Sequence, residues 1–169
     1  MLGSKLQIGK LINNIYAILG YSMDIKQKKI KILLIDNNEM LRIYFRDIFW
    51  IHGRSDTYDI IMASSIKEAE KIILDKNKRP DTIFIDLLMP VDGEDNSPDG
   101  QLKRTLSFIE KIKNDKDLSS IKIIIHSSHK EQYLKDEVFK LGVDGYLIKG
   151  DMLPKEVIDF TDKIHESNN

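Results

Sequence analysis

The chain has 169 residues, enough for one domain with an added arm, and its 41% hydrophobic and 31% charged residues mark it as globular rather than disordered. Lysine and arginine total 26 against 27 acids, a formal charge of -1, so nothing global favours nucleic acid or an anionic membrane. The absence of cysteine excludes disulfides, thiol catalysis and cysteine-based zinc sites and fits a reducing cytoplasm, and no apolar run approaches the ~20 residues of a membrane-spanning helix.

Residues 1–29 read as an amphipathic helical extension. Leu6, Leu11, Ile12, Ile15, Ile18 and Leu19 share one helical face, and Lys26, Lys28 and Lys29 lead out of it. Gln7, Lys10, Asn13 and Asn14 break up its apolar residues, so it is no secretion signal. A lone helix cannot bury such a stripe unaided, so contact with a second copy or a partner is expected.

The domain proper is expected over 30–169. Short, continuous apolar runs predict strands at Lys31–Asp36, Asp59–Ala63, Thr82–Asp86, Lys122–Ser127 and Gly145–Lys149. Continuous rather than alternating runs suit strands covered on both faces, as in a parallel sheet. Helical spacing fills the gaps. The faces are Met40, Leu41, Tyr44, Phe45 and Ile48; Ile66, Ala69, Ile72 and Ile73; Leu106, Ile109 and Ile112; Tyr133, Leu134, Val138 and Leu141; and Leu153, Val157, Phe160 and Ile164. Ser64 or Ser65 can cap the second helix, with Glu68 at capping-box distance from Ser65, and Gly142 closes the fourth. The stretch "VDGEDNSPDGQLKR", residues 91–104, reads as an extended acidic loop.

Five strands alternating with five helices predict an α/β doubly wound sheet. Ligands of such sheets sit beyond the C-terminal strand ends. There the first strand ends in Asp36, the third in Asp86, the fourth in Ser127 and the fifth in Lys149. Two aspartates can hold magnesium, whose remaining positions take water and phosphate oxygens. A carboxylate can accept a phosphoryl group as an aspartyl phosphate, with Lys149 as a compact cation and Ser127 as a hydroxyl donor.

Residues 30–166 resemble a bacterial two-component response-regulator receiver domain of the CheY-like kind. "TIFIDLLMP" (82–90) is similar to that family's phosphoacceptor strand, "IIIHSS" (123–128) to its fourth strand, "GVDGYLIK" (142–149) to its fifth, and "LLIDNNEMLR" (33–42) to its acidic pocket. The resemblance implies a flavodoxin-like sheet of order 2-1-3-4-5. It implies Asp86 as phosphoacceptor, with Asp36, Asn37, Asp86 and the backbone carbonyl of Leu88 as Mg2+ ligands. Ser127 and Lys149 would bind the phosphoryl group, Tyr146 would be the switch aromatic that turns inward when Ser127 moves, and Leu88 and His129 would modulate attack by water. The implied role is a cytoplasmic, single-domain signalling switch in a phosphorelay, not a turnover enzyme. A histidine kinase or phosphotransfer protein would feed it, and an unidentified downstream protein would read it.

Three departures bear on that role. Asn37 stands where the family usually has a second acid, which predicts weaker magnesium binding. Gly150 follows Lys149 where the family has a proline in a cis bond; a trans bond, a looser loop and a less firmly placed lysine are expected. The 91–104 segment exceeds the few residues usual there, and gating of donor access is one reading of it. The alternative function is a pseudo-receiver, a protein-interaction module that works without phosphate. A dehalogenase-type phosphatase would need an acid where Leu88 stands, and a dinucleotide-binding enzyme a glycine-rich turn that "IDNNEM" lacks.

Overall fold

The computed structural model describes residues 28–91 and 95–166. The expected N-terminal helix and its dimer contact lie outside those residues. The larger of the chain's two compact units runs from Lys29 to Ile158.

Strands β1 (Ile30–Ile35), β2 (Tyr58–Ala63), β3 (Thr82–Ile85), β4 (Lys122–Ser127) and β5 (Gly145–Ile148) alternate with helices α1 (Glu39–Ile51), α2 (Ile66–Leu74), α3 (Pro98–Asn114), α4 (Gln132–Lys140) and α5 (Pro154–Glu166). The strands form one sheet of order β2-β1-β3-β4-β5, every pairing parallel. Each strand lies within one residue of its sequence expectation at either end, because an unbroken Ile/Leu/Val run between polar turns has few other places to go. Among the described residues no helix is long and apolar enough to cross a membrane.

Both sheet faces are covered, and the side-chain alternation of each strand divides the core in two. Leu33, Ile35, Ile83, Ile85, Ile123 and Ile125 face a cluster with Ala69 and Ile73 of α2, Phe108, Ile109 and Ile112 of α3, and Leu134 and Val138 of α4. On the opposite face Phe84 meets Phe45 of α1 at a ring-centroid distance of 4.9 Å, and Phe45 meets Phe49 at 5.3 Å. Phe84 has no exposed surface, so its truncation to alanine costs about 3–5 kcal/mol.

Three sequence expectations need correction. In α1 the buried side chains are Phe45, Ile48 and Phe49, whereas Met40 (72% exposed) and Tyr44 (56%) lie outside the packed stripe. Tyr133 and Leu153 are likewise exposed. The largest correction concerns 91–104, where helix α3 already begins at Pro98. Ser97 caps α3 by accepting from the Gly100 N–H at 3.1 Å, and Pro98 takes the first helical position, where its missing N–H costs nothing. "SPDG" is therefore a helix start rather than a turn. Gly100 is required there, because a Cβ at that position would lie 2.7 Å from the Asp95 carbonyl oxygen.

Capping elsewhere follows expectation. Ser65 accepts from the Glu68 N–H at 3.2 Å, while the Glu68 carboxylate reaches back one residue further, to the N–H of Ser64 at 2.7 Å. Gly142, just past α4, has φ +82°, where a Cβ is unwelcome.

Candidate phosphoacceptor site

Strand register builds the site. Ile35 of β1 pairs with Ile85 of β3, so Asp36 and Asp86 leave neighbouring strands at the same level. The Asp86 N–H donates to the Ile35 carbonyl at 3.0 Å and fixes that level. On the other side Ser127 pairs with Ile148, which places Lys149 one step beyond, its N–H bonded to the Ser127 carbonyl at 2.9 Å. Residues far apart in sequence thus meet at the C-terminal rim because each closes a strand of the same parallel sheet.

Lys149 lies between the two acids. Its Nζ is 2.6 Å from Asp86 Oδ2 and 2.7 Å from Asp36 Oδ2. Asp36 is 1% exposed, and its Oδ1 accepts from the Asn38 N–H at 2.8 Å. Its Oδ2 has the lysine charge beside it but no donor aligned on it, so Coulomb attraction rather than a directed hydrogen bond holds this buried oxygen. Asn38 also caps α1 through its side chain, so one residue ends the acidic turn and starts the helix.

A buried carboxylate oxygen without an aligned donor, facing a second carboxylate, is a fitting ligand for a hard cation. The charge count is modest: two acids against one lysine leave one net negative charge. Asn37 is exposed beside the pocket. Among the described residues no three His, Asp or Glu side chains converge as a metal cluster. The residues fit Mg2+ through Asp36 and Asp86, with fewer charges than a pocket of three acids would offer. Leu88, half-buried, packs its side chain on the core.

The Lys149–Gly150 bond is trans, as is every peptide bond among the described residues. Gly150 has φ +81°, which proline cannot adopt, so the turn after β5 is built on glycine's freedom. Lys149 nonetheless reaches both acids. Lys130 pairs with Asp151 at 2.8 Å and ties this turn to the segment after β4.

Ser127 is fully buried, and its Oγ lies 3.4 Å from the His129 N–H. Tyr146 sends its hydroxyl to the His129 carbonyl at 2.7 Å, and Lys135 of α4 sits 5.5 Å from its ring centroid. Burial, with Glu131 and Asp86 nearby, pushes the Tyr146 phenol up to about 12. Tyr146 therefore points toward the segment that carries Ser127. The His129 ring instead faces Glu131, at 3.4 Å.

Three neighbours of the site were not apparent from sequence. Arg42 donates to the Asp36 carbonyl at 2.6 Å, bracing the turn from α1. Arg104 of α3 reaches back to the segment after Asp86. His126, one residue before Ser127, packs between Phe45 and Phe84, and burial together with the Lys149 charge pushes its imidazole down to about 4. Arg42 alone left a signal, a basic residue among the first positions of the helix that follows an acidic strand end.

The response regulator receiver domain model matches residues 32–156. A response regulator from Chloroflexus aurantiacus is similar in structure, with 20% identity, 81% of this chain and 98% of that chain covered, and a TM-score of 0.63. The chemotaxis response regulator CheY4 of Vibrio cholerae shares 18% identity over 81% of this chain and 99% of that one, at 0.63. The phosphorylated cyanobacterial phytochrome response regulator RcpA shares 19% identity over 82% and 93%, at 0.62. At these identities the structures bear on the fold alone, whereas the family model covers most of the chain. The chain belongs to the response-regulator receiver family, whose members act in phosphorelay signalling.

Proposed function

We propose that Asp86 accepts a phosphoryl group from a histidine kinase or phosphotransfer protein, and that the phosphorylated chain binds a downstream protein differently. The observation that carries this reading is Lys149 held between Asp36 and Asp86 at 2.7 and 2.6 Å. An Asp86 oxygen attacks phosphorus, and the bond from phosphorus to the donor's imidazole nitrogen breaks. Its electron pair stays on that nitrogen, which takes a proton from solvent. Lys149 follows the developing charge onto the phosphoryl oxygens, and the Ser127 hydroxyl donates to another. Mg2+ bound by Asp36, Asp86 and the Leu88 carbonyl would neutralise further charge on those oxygens, with Asn37 as a weak outer contributor.

Movement of Ser127 toward the phosphoryl group shifts the segment whose His129 carbonyl anchors Tyr146. Phosphate thereby biases the aromatic and the surface beside it, which a partner reads. Leu88 offers no hydrogen bond to an attacking water, and the His129 ring, which carries the donor and acceptor for one, would have to leave Glu131 to do so. The chain is a phosphoacceptor with at most slow self-dephosphorylation, not a turnover enzyme.

A second reading is a pseudo-receiver that binds partners without phosphate. An amide at Asn37 in place of a second acid and a glycine at Gly150 in place of the family's proline favour this reading. Treatment with a small phosphodonor, with and without Mg2+, separates the two. Intact mass gains one phosphoryl group in the first case, and the Asp86→Asn variant gains none; the pseudo-receiver gains none under any condition.

A further inference from the structure

Several polar contacts tie down the described residues between Asp86 and α3, 87–91 and 95–97. Asn96 pairs with both backbone groups of Val91, accepting from its N–H at 2.8 Å and donating to its carbonyl at 2.8 Å. Ser97 N–H closes an Asx turn on Asp95 at 2.9 Å, and the Gln101 amide donates to the Asn96 carbonyl at 2.7 Å. Arg104, two turns into α3, gathers three acceptors: the Asp95 carbonyl at 2.7 Å, Asn96 Oδ1 at 3.2 Å and the Met89 carbonyl at 3.4 Å. A guanidinium is suited to this, since its donors form a rigid fork.

The Met89 contact bears on the pocket. At one end the backbone after β3 is pinned by the Asp86 N–H on Ile35. At the other it is pinned by Arg104 on Met89. Leu87 and Met89 have no exposed surface, and Pro90 fixes the following φ. Only Leu87 and Leu88 lie between the two anchors, so the fork limits where the Leu88 carbonyl can point.

We propose that Arg104 is a positioning residue for the phosphoacceptor pocket, acting through the Met89 carbonyl to hold the Leu88 carbonyl beside Asp86. The metal half of this proposal rests on the phosphoacceptor reading above; the backbone half does not. Residues 87–91 are on this account a braced wall of the pocket rather than a lid.

The test uses the full, unphosphorylated chain and three variants. Arg104→Met keeps the apolar stem and loses the fork, Arg104→Lys keeps the charge, and Asn96→Ala opens the loop base and removes one Arg104 acceptor while keeping the fork and the Met89 carbonyl. Mg2+ titration by calorimetry should show affinity reduced about fivefold or more in Arg104→Met, on the scale of one lost charge-assisted hydrogen bond, partly recovered in Arg104→Lys and within twofold of wild type in Asn96→Ala. Amide exchange at Leu87, Leu88 and Met89 should quicken in Arg104→Met and not in Asn96→Ala. A lower melting temperature with unchanged affinity and unchanged exchange would show a merely structural arginine and overturn the proposal, as would equal losses in Asn96→Ala. Should Arg104→Met not fold, Arg104→Lys against Asn96→Ala carries the same comparison. If the wild-type chain takes up no Mg2+, the metal half fails, phosphodonor labelling of the wild type decides separately whether the phosphoacceptor reading stands, and the exchange data decide the backbone half.

Discussion

The two ends of the sheet hold charge clusters of opposite design. At the C-terminal rim two acids, Asp36 and Asp86, share one lysine, and a buried oxygen of Asp36 lacks an aligned donor. At the other end two lysines share one acid: Asp144 takes Lys113 at 2.8 Å, Lys122 at 3.1 Å and the Ile123 N–H at 2.9 Å. Lys113 also donates to the Ile121 carbonyl. The second cluster binds α3, β4 and the start of β5 together and leaves no acceptor idle on its acid. The first keeps a carboxylate in surplus. A saturated ion cluster is structure, whereas one short of a cation has capacity for a further ligand.

Lys149→Met puts the largest strain on this contrast. It leaves Asp36 buried beside Asp86 with no cation and should cost about 4 kcal/mol, part of which Mg2+ restores. Denaturant unfolding with and without Mg2+ measures both, and a loss indifferent to Mg2+ breaks the contrast.

Mild acid comes next. The native His126 imidazole is held near 4 against an ordinary 6.5, first by burial and then by Lys149. The unfolded chain therefore takes the proton first. Stability present above pH 6.5 drains away as pH falls toward 4, by about 3 kcal/mol. His126→Phe should flatten that stretch of the curve, and Lys149→Met should make it shallower.

Asp144→Asn should cost about 2 kcal/mol, independent of Mg2+, because it strands two partly buried lysines. Burial pushes this carboxyl up, but the Lys113 hydrogen bond, the Ile123 N–H, the Lys113 charge and Lys122 together hold it below its ordinary 3.8. Its contribution is thus complete at neutral pH and is lost as pH falls below about 4; the variant's stability should lack that acid step. Smallest is Asn37→Asp, which adds the missing charge to the rim and should tighten Mg2+ about tenfold, some 1.4 kcal/mol. An unchanged affinity in calorimetry would remove Asn37 from the ligand set.

Much of the rim was legible in the sequence, because Asp36, Asp86 and Lys149 each end an uninterrupted apolar run, Ser127 ends one broken only by His126, and parallel strands bring such ends together. What escaped needed register, or a choice between two local readings. "SPDG" satisfies turn chemistry and helix-start chemistry equally, and only the Gly100 approach to Asp95 decides it. Arg104 acts across fifteen residues on Met89, a reach that no spacing rule encodes. The α1 face was read correctly at Phe45 and Ile48, but Met40 and Tyr44 at its edge lie in solvent and Phe49, which packs, was missed.

Phosphorylation of Asp86 itself is the most direct test. Wild type and Asp86→Asn are treated with a small phosphodonor in Mg2+ and weighed intact, with Asp144→Asn as a control from the other end of the sheet. The phosphoacceptor reading predicts one added phosphoryl group in wild type and in Asp144→Asn, and none in Asp86→Asn. No addition to folded wild type, or equal addition to Asp86→Asn, would contradict it.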